Sequence, residues 1–374
     1  MRQLPFRFLW SAVSVLAALS CSAASAAGAQ WEYSTVDSAA MGHYSSLKVD
    51  NEGNAHVAYV ASDGQNTLKY GFWDHRLNRW FVMKVDTQAS FCALTLDSKQ
   101  RPHISYADFG SSKEGRLHYA YWNGSAWTKK TITLNDGAAF YTSIALDSED
   151  KPYISYYDYL APDNEFVLHL RVAHWNGKYW EVRTADDVDG SGKFNSITVD
   201  ATGNPQIAYA NVKDPNQGLR YARWTSSGWE HELLDSPCYV WSVGMVLDKA
   251  GKPHISYMDH HHKLLKYATL DAGKWQIYTI ATLEGVAYPD RNGITIGPDG
   301  KIYITCYDSG SGSLLLIRQE LSNWVIEIVD QGRVGFTSSV AVDGNNILIT
   351  YTDEATGVLK FARRPITQTE SAAK

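Results

Sequence analysis

The sequence predicts an all-β protein, a seven-bladed β-propeller of four-stranded blades, and three observations carry that prediction. The first is a recurring segment. Lys252-Pro253-His254-Ile255-Ser256-Tyr257-Met258-Asp259 has close copies at residues 101–108 and 151–158, and weaker ones at 56–59, 205–211, 303–308 and 348–353. The second is spacing. The Asp or Gly that ends the first strand of each copy falls at Asp50, Asp97, Asp147, Asp200, Asp248, Gly297 and Asp343, in steps of 47, 50, 53, 48, 49 and 46 residues. A four-stranded blade needs that length, whereas the coils of an open solenoid are shorter. The third is how the ends match. A Trp opens the fourth strand in six repeats (Trp80, Trp127, Trp180, Trp229, Trp275, Trp324), but the seventh repeat stops after its third strand, at 359–363. Its missing strand is found at the other end of the chain, as Trp31-Glu32-Tyr33-Ser34-Thr35-Val36-Asp37. A first strand that completes the last blade closes the ring and hides an edge that would otherwise template aggregation.

The chain begins with a segment outside this pattern. Arg2 and Arg7 precede an apolar run at 8–19, and Ala27-Gly28-Ala29 supplies small residues for cleavage, the pattern of a secretory signal. Cys21 stands two residues after Leu19, where bacterial lipidation uses three, so soluble export is the expectation. The domain reading is therefore signal peptide 1–29, propeller 30–365 and a frayed tail 366–374, with the mature chain in the periplasm or outside the cell.

Within a repeat the strands can be read singly. In the second, 91–97 is a first strand, a polar turn follows, and 102–106 opens the second strand. The third strand is 117–122, Asn123-Gly124 signals a tight hairpin because both accept positive φ, and 127–133 closes the unit. Val, Ile, Tyr, Trp and Thr dominate, without helical periodicity. Four residues before each spacing marker stands a small residue (Ser46, Ala93, Ser143, Ser196, Gly244, Gly293, Ser339), as expected where inner strands crowd toward an axis.

Charge narrows the function classes. Without residues 1–29, Lys plus Arg falls to 34 − 2 = 32 against 40 Asp plus Glu, a net charge near −8. A negative chain without basic clusters excludes nucleic acid and anionic membrane as natural partners. Cys92, Cys238 and Cys306 remain, an odd number whose spacing matches no metal motif, and buried apolar roles are expected for them.

The Asp-x-x-Gly-x-Pro-His-Ile-Ser-Tyr-x-Asp pattern, with Leu-Lys-Tyr-Ala and Gly-x-Trp, resembles the repeats of exported bacterial propellers grouped loosely with sialidase-like (BNR-type) proteins. The resemblance covers the mature chain and implies the fold. The Ser-x-Asp-x-Gly-x-x-Trp box of true sialidases is absent, and the Trp-Asp dipeptide of WD repeats does not recur. The motifs that match are scaffold motifs, so they imply no activity.

A residue found in most blades serves every blade. The aspartates after each second strand (Asp108, Asp158, Asp259, Asp308, Asp353) are expected to fix turns, and the tryptophans to pack between blades. Local function is expected where blades differ. Connections from fourth to first and from second to third strands share one face of a propeller. There the irregular residues are His43, Tyr44, Phe140, Tyr141, Phe194, Tyr239, Trp241, Tyr288, Asp290, Arg291, Arg333, Phe336 and the run His260-His261-His262. The candidate ligand set is His43, Tyr44, Tyr141, Trp241, His261, Arg291 and Arg333: aromatics suit flat sugar faces, and arginines suit carboxylates or hydroxyls. The rival role for the aromatics is to plug the channel. His260 and His262 share a side of an extended loop and are the candidates for a metal, although no cofactor is expected. The function expected is an exported glycan-binding propeller. A polysaccharide lyase or glycoside hydrolase using His, Tyr and Arg on that face is the alternative, and an extracellular scaffold with a protein partner is the third reading.

Overall fold

The computed structural model describes residues 30–39, 41–108, 116–132, 138–160, 167–286, 292–321 and 323–366. Residues 1–29, read above as a signal peptide, and residues 367–374 of the expected tail lie outside these. The described residues form seven four-stranded antiparallel sheets, and in six of them the strands follow one another in sequence. From the centre outward the first blade is Gly42–Val49, Ala55–Ala61, Thr67–Asp74 and Arg79–Asp86. The others occupy residues 89–132, 138–186, 191–235, 240–282, 293–331 and 334–365. The seventh has three strands of its own, and Glu32–Asp37 pairs antiparallel with its outer strand, Val358–Pro365, as the sequence predicts. No helix among the described residues is long and apolar enough to cross a membrane.

The repeated residues act mainly between blades. Packing Tyr or Phe from the third strand of one blade against the Trp of the next fills most seams. The pairs Tyr70–Trp127, Tyr119–Trp180, Tyr221–Trp275, Tyr267–Trp324 and Phe361–Trp80 have ring centroids 5.2, 5.4, 4.9, 5.0 and 5.2 Å apart, all edge to face. Such pairs add roughly 0.5–1.5 kcal/mol beyond burial alone.

A second tie recurs nearer the axis. The second-strand Tyr donates its hydroxyl proton to the Asp that ends the previous blade: Tyr59 to Asp37, Tyr106 to Asp86, Tyr209 to Asp186, Tyr257 to Asp235 and Tyr351 to Asp330, at 2.6–2.7 Å. A cation joins each carboxylate: Lys69, Lys129, Arg220, Lys266 and Lys360 respectively. At the seam between blades 5 and 6 buried Cys306 takes the Tyr position. All three cysteines described are buried and unbridged.

Asp108, Asp259, Asp308 and Asp353 accept backbone N–H bonds as expected, Asp353 for instance from Ala355 and Thr356. They also do more than turn work. Asp108, Asp158, Asp259 and Asp353 pair with His118, Arg171, Lys266 and Lys360 on the third strand.

The small residues line the axis. Ser46, Ala93, Ser143, Ser196, Gly244, Gly293 and Ser339 surround a central cavity of about 400 Å³. The serines also bridge blades, because the hydroxyls of Ser46, Ser143, Ser196 and Ser339 accept the N–H of Leu94, Ile197, Met245 and Leu47 in the adjoining inner strand. Gly293 cannot be enlarged cheaply, since an added Cβ would sit 2.6 Å from Thr305 Oγ1 and 2.7 Å from Val340 N.

Candidate functional site

The upper end of the axis is built by one irregularity repeated in neighbouring blades. Each inner strand of blades 1 to 5 carries a register shift near its start, at His43/Ser46, Ser90/Cys92, Phe140/Ser143, Lys193/Ser196 and Trp241/Val243. The residue thrown out by the bulge takes a left-handed backbone: Tyr44 (φ 54°), Phe91 (48°), Tyr141 (52°), Phe194 (52°) and Ser242 (54°). That region is unfavourable for bulky side chains, at roughly 1–3 kcal/mol each, and persists only where the surroundings enforce it. Here the neighbouring blade enforces it. The Tyr44 carbonyl accepts the Cys92 thiol at 3.3 Å, the Phe91 carbonyl accepts Thr142 Oγ1 at 2.8 Å, and the Tyr141 carbonyl accepts Asn195 Nδ2 at 2.7 Å.

The result is a continuous aromatic row over the axis. Centroid steps are 4.6 Å from Tyr44 to Phe91, 4.5 Å from Phe91 to Tyr141 and 4.8 Å from Tyr141 to Phe194. His43 flanks Tyr44, with ring centroids 6.3 Å apart. Lys193 Nζ lies 4.9 Å from the Phe194 ring centre and 5.8 Å from that of Tyr141. Burial alternates along the row: Phe91 and Phe194 are buried, whereas Tyr44 and Tyr141 are half-buried. The two phenylalanines are therefore packed away, and the two tyrosines keep part of their surface exposed.

Blade 5 adds a second patch on this face. Trp241 packs against His260 with centroids 3.6 Å apart and planes tilted by 34°, Tyr239 lies 6.1 Å from Trp241, and His261 lies 6.2 Å from Tyr239. Tyr141 and Trp241 pack on the same apolar cluster, which contains Phe194 and Val240. The histidine run splits. His260 serves Trp241, while His262 Nδ1 meets Asp259 at 2.9 Å. Among the described residues no three His, Cys, Asp or Glu side chains gather as a metal site would require.

Blades 6 and 7 contribute charge. Arg333, exposed and with a left-handed backbone of its own (φ 65°), pairs with Glu354 at 3.2 Å. Tyr307 lies 6.3 Å from Phe336. Burial holds the His43 imidazole below its ordinary pKa against the opposing pull of Glu354, so His43 is neutral at neutral pH. Burial, and then Glu354, push the Tyr307 hydroxyl above its ordinary value, while Arg333 pulls the other way. One carboxylate thus acts on residues from blades 1, 6 and 7.

Of the sequence-predicted set, His43, Tyr44 and Tyr141 come together along the row, and Trp241 and His261 form the neighbouring patch. Arg333 stands beyond Glu354, and Arg291, with Tyr288 and Asp290, lies outside the described residues. Phe91, Lys193, Tyr307 and Glu354 escaped the sequence reading. Phe91 was within reach: it precedes Ala93 by two positions, as Tyr44 precedes Ser46 and Tyr141 precedes Ser143.

No family model matches the chain, and no curated protein sequence matches it. Solved structures do match in fold. An ulvan lyase of a new polysaccharide lyase family, bound to -[GlcA(1-4)Rha3S]-, superposes with TM-score 0.61 at 12% identity, over 88% of this chain and 95% of that one. The polysaccharide lyase Uly1 gives 0.56 at 10% identity, over 90% and 99% of the two chains. The Hadza microbial sialidase Hz136 gives 0.52 at 10% identity, over 81% and 74%. At these identities the likeness establishes the propeller fold and nothing finer.

Proposed function

We propose that this propeller is exported and binds a saccharide chain across the upper end of its axis. The observation that carries the reading is the strained aromatic row: bulky residues held left-handed at equivalent bulges of four blades, two of them left half-open. Strain maintained at equivalent positions by dedicated hydrogen bonds is characteristic of functional sites. Tyr44 and Tyr141 would stack on sugar rings, Trp241 and Tyr239 would extend the floor, and Lys193 and Arg333 would meet carboxylate or hydroxyl oxygens. Propellers of this shape include enzymes named for polysaccharides and a sialidase, which supports carbohydrate as the ligand class.

A second reading rests on His43 and Tyr307. A neutral imidazole and a protonated phenol under one carboxylate are a base and an acid of the kind that β-elimination from a uronate requires, with Arg333 to neutralise the sugar carboxylate. Titration of acidic and neutral oligosaccharides tests binding. Tyr141→Ala should weaken it by about 1–3 kcal/mol, the range for a stacked aromatic, with the thermal midpoint little changed. Incubation with uronate-containing polysaccharide tests chemistry: a lyase yields unsaturated products that vanish in His43→Ala, and a binding protein returns the polymer intact.

A further inference from the structure

One seam departs from the packing rule that seals the others. At the third-strand position filled by Tyr70, Tyr119, Tyr221, Tyr267 and Phe361, and by Leu316 in blade 6, blade 3 has Val172. The volume that a tyrosine ring occupies elsewhere is open here. A cavity of about 320 Å³ lies between blades 3 and 4, bounded by Tyr153, Val172, His174, Trp224 and Trp229, with Asn176, Glu181 and Arg183 also lining it. It sits by the hairpin between third and fourth strands of blade 3, where the Asn176 N–H meets the Tyr179 carbonyl. In an antiparallel blade that end is opposite the aromatic row, so the two places are distinct.

The walls are prepared rather than merely vacant. Tyr153 replaces the histidine found at this position in blades 1, 2 and 5, and its ring stacks on His174 with centroids 3.7 Å apart. His174 Nδ1 lies 3.2 Å from the Pro152 carbonyl, which can only accept; Nδ1 carries the hydrogen and Nε2 is left as an acceptor. Opposite, the Arg183 guanidinium lies over the Trp224 ring at 5.0 Å, and Trp224 meets Trp229 edge to face at 5.6 Å. Glu181 accepts Asn176 Nδ2 at 2.6 Å and Arg183 Nη2 at 2.8 Å, so carboxylate and guanidinium offset one another. Aromatic walls with a few convergent donors and acceptors are the make-up of a small-ligand site.

We infer that this cavity is a second ligand site, taking one neutral pyranose ring of a glycan. The aromatic faces match the apolar face of a sugar ring, and the amide, imidazole, carboxylate and guanidinium match its hydroxyls. The balanced Glu181–Arg183 pair leaves no unmatched cation for a uronate or sulfate. The inference does not depend on the upper face, and different variants test the two.

The test is saturation-transfer NMR and calorimetry on the mature chain with the methyl glycosides of glucose, galactose and mannose, and methyl glucuronide as the charged control. At least one neutral glycoside should bind in preference to the glucuronide. Val172→Tyr installs the residue that four other blades use, so it should keep the fold and the thermal midpoint while weakening that binding by about tenfold or more, the range for a lost stacking site. Arg183→Ala, on the exposed rim, should weaken it in the same direction while leaving the buried Tyr209–Asp186–Arg220 tie of the seam in place. Binding that is lost in Tyr141→Ala and kept in Val172→Tyr would belong to the upper face and overturn the inference. The inference is overturned if no neutral glycoside binds, if the glucuronide binds better, or if Val172→Tyr folds and Arg183→Ala folds and both bind as the wild type does.

Discussion

The seam between blades 2 and 3 and the seam between blades 3 and 4 share a backbone plan and differ in what fills it. In the first, Tyr119 meets Trp180 edge to face, its hydroxyl lies 2.6 Å from His103 Nδ1, and His103 Nε2 reaches Asp97 at 3.4 Å. Ring, imidazole and carboxylate form one chain of buried partners. In the second, Val172 cannot reach across, Tyr153 turns to His174, and a cavity opens beside Trp224 and Trp229. The Tyr209–Asp186–Arg220 tie nearer the axis is kept in that second seam, so the blades stay joined while the outer half opens. A repeat protein can therefore give up a packing residue locally and keep its ring, and departures from the repeat are where a ligand can be admitted. The same logic picks out the upper face, where the bulge is constant and the residue it carries is not.

The comparison can be broken most severely at ring closure. The strand Glu32–Asp37 carries Tyr33, whose hydroxyl donates to the Val329 carbonyl, and Asp37, which takes both Tyr59 and Lys69. Trp31 Nε1, just before it, donates to Glu327. Deleting residues 30–38 should cost more stability than any point change and produce self-association through the exposed edge, whereas deleting 368–374 should do neither. Thermal melts with light scattering check this, and a monomeric deletion that melts like the chain of residues 30–374 would refute closure.

Next comes the inner tie that keeps the opened seam between blades 3 and 4 joined. Asp186 is fully buried and Arg220 nearly so, with side-chain exposures of 0% and 6%. Asp186→Ala leaves the guanidinium buried without its partner, so a loss of about 3–5 kcal/mol is expected in denaturant titration. Trp180→Ala in the sealed seam should cost at the low end of about 3–5 kcal/mol, since the ring is only partly buried.

The smallest expected effect on stability is with pH. Burial depresses the imidazole pKa of His103, His174 and His254 below that of the unfolded chain, about 6.5. The unfolded state then takes up protons first as pH falls. Stability from these groups is full above about pH 6.5 and declines below it, toward their folded pKa values. Carboxylates add a second, more acidic window. For Asp37 and Asp353 burial works upward, but hydrogen bonds led by those from Lys69 and Lys360 outweigh it and hold the pKa below the ordinary value. Their stabilisation is present above about pH 4 and is lost as pH falls through the folded values. Melting midpoints from pH 8 to 3 should fall in two steps; a midpoint unchanged from pH 7 to 5 would contradict the imidazole part.

The scaffold was legible because each of its parts is written several times. Seven spacing markers, seven small residues and seven tryptophans leave one architecture, and even the displaced strand at Trp31 announces itself by its match to 324–330. The ties across seams were less legible. Tyr257 and Asp235 are 22 residues apart in different blades, and nothing local says that they touch. The candidate site was half legible. Tyr44, Tyr141 and Trp241 stood out by chemistry, but Phe91 reads as an ordinary strand residue until the bulge turns it onto the axis. Val172 was the hardest, because a valine in a strand draws no notice; its meaning lies in the tyrosine that it replaces. The histidine run drew notice, and in the fold it supplies a tilted ring contact to Trp241 and an Asp259 pair.

The most direct test of the central claim, that a saccharide chain is held on the row over the axis, is calorimetric titration of uronate-containing and neutral oligosaccharides onto wild-type residues 30–374 and the Tyr44→Ala, Tyr141→Ala double variant. The account predicts saturable binding by the wild type, and a loss of about tenfold or more in the double variant, from two stacking positions worth roughly 1–3 kcal/mol each, with an unchanged melting midpoint. Wild-type protein that takes up none of the oligosaccharides, or a folded double variant that binds them as tightly, would contradict it.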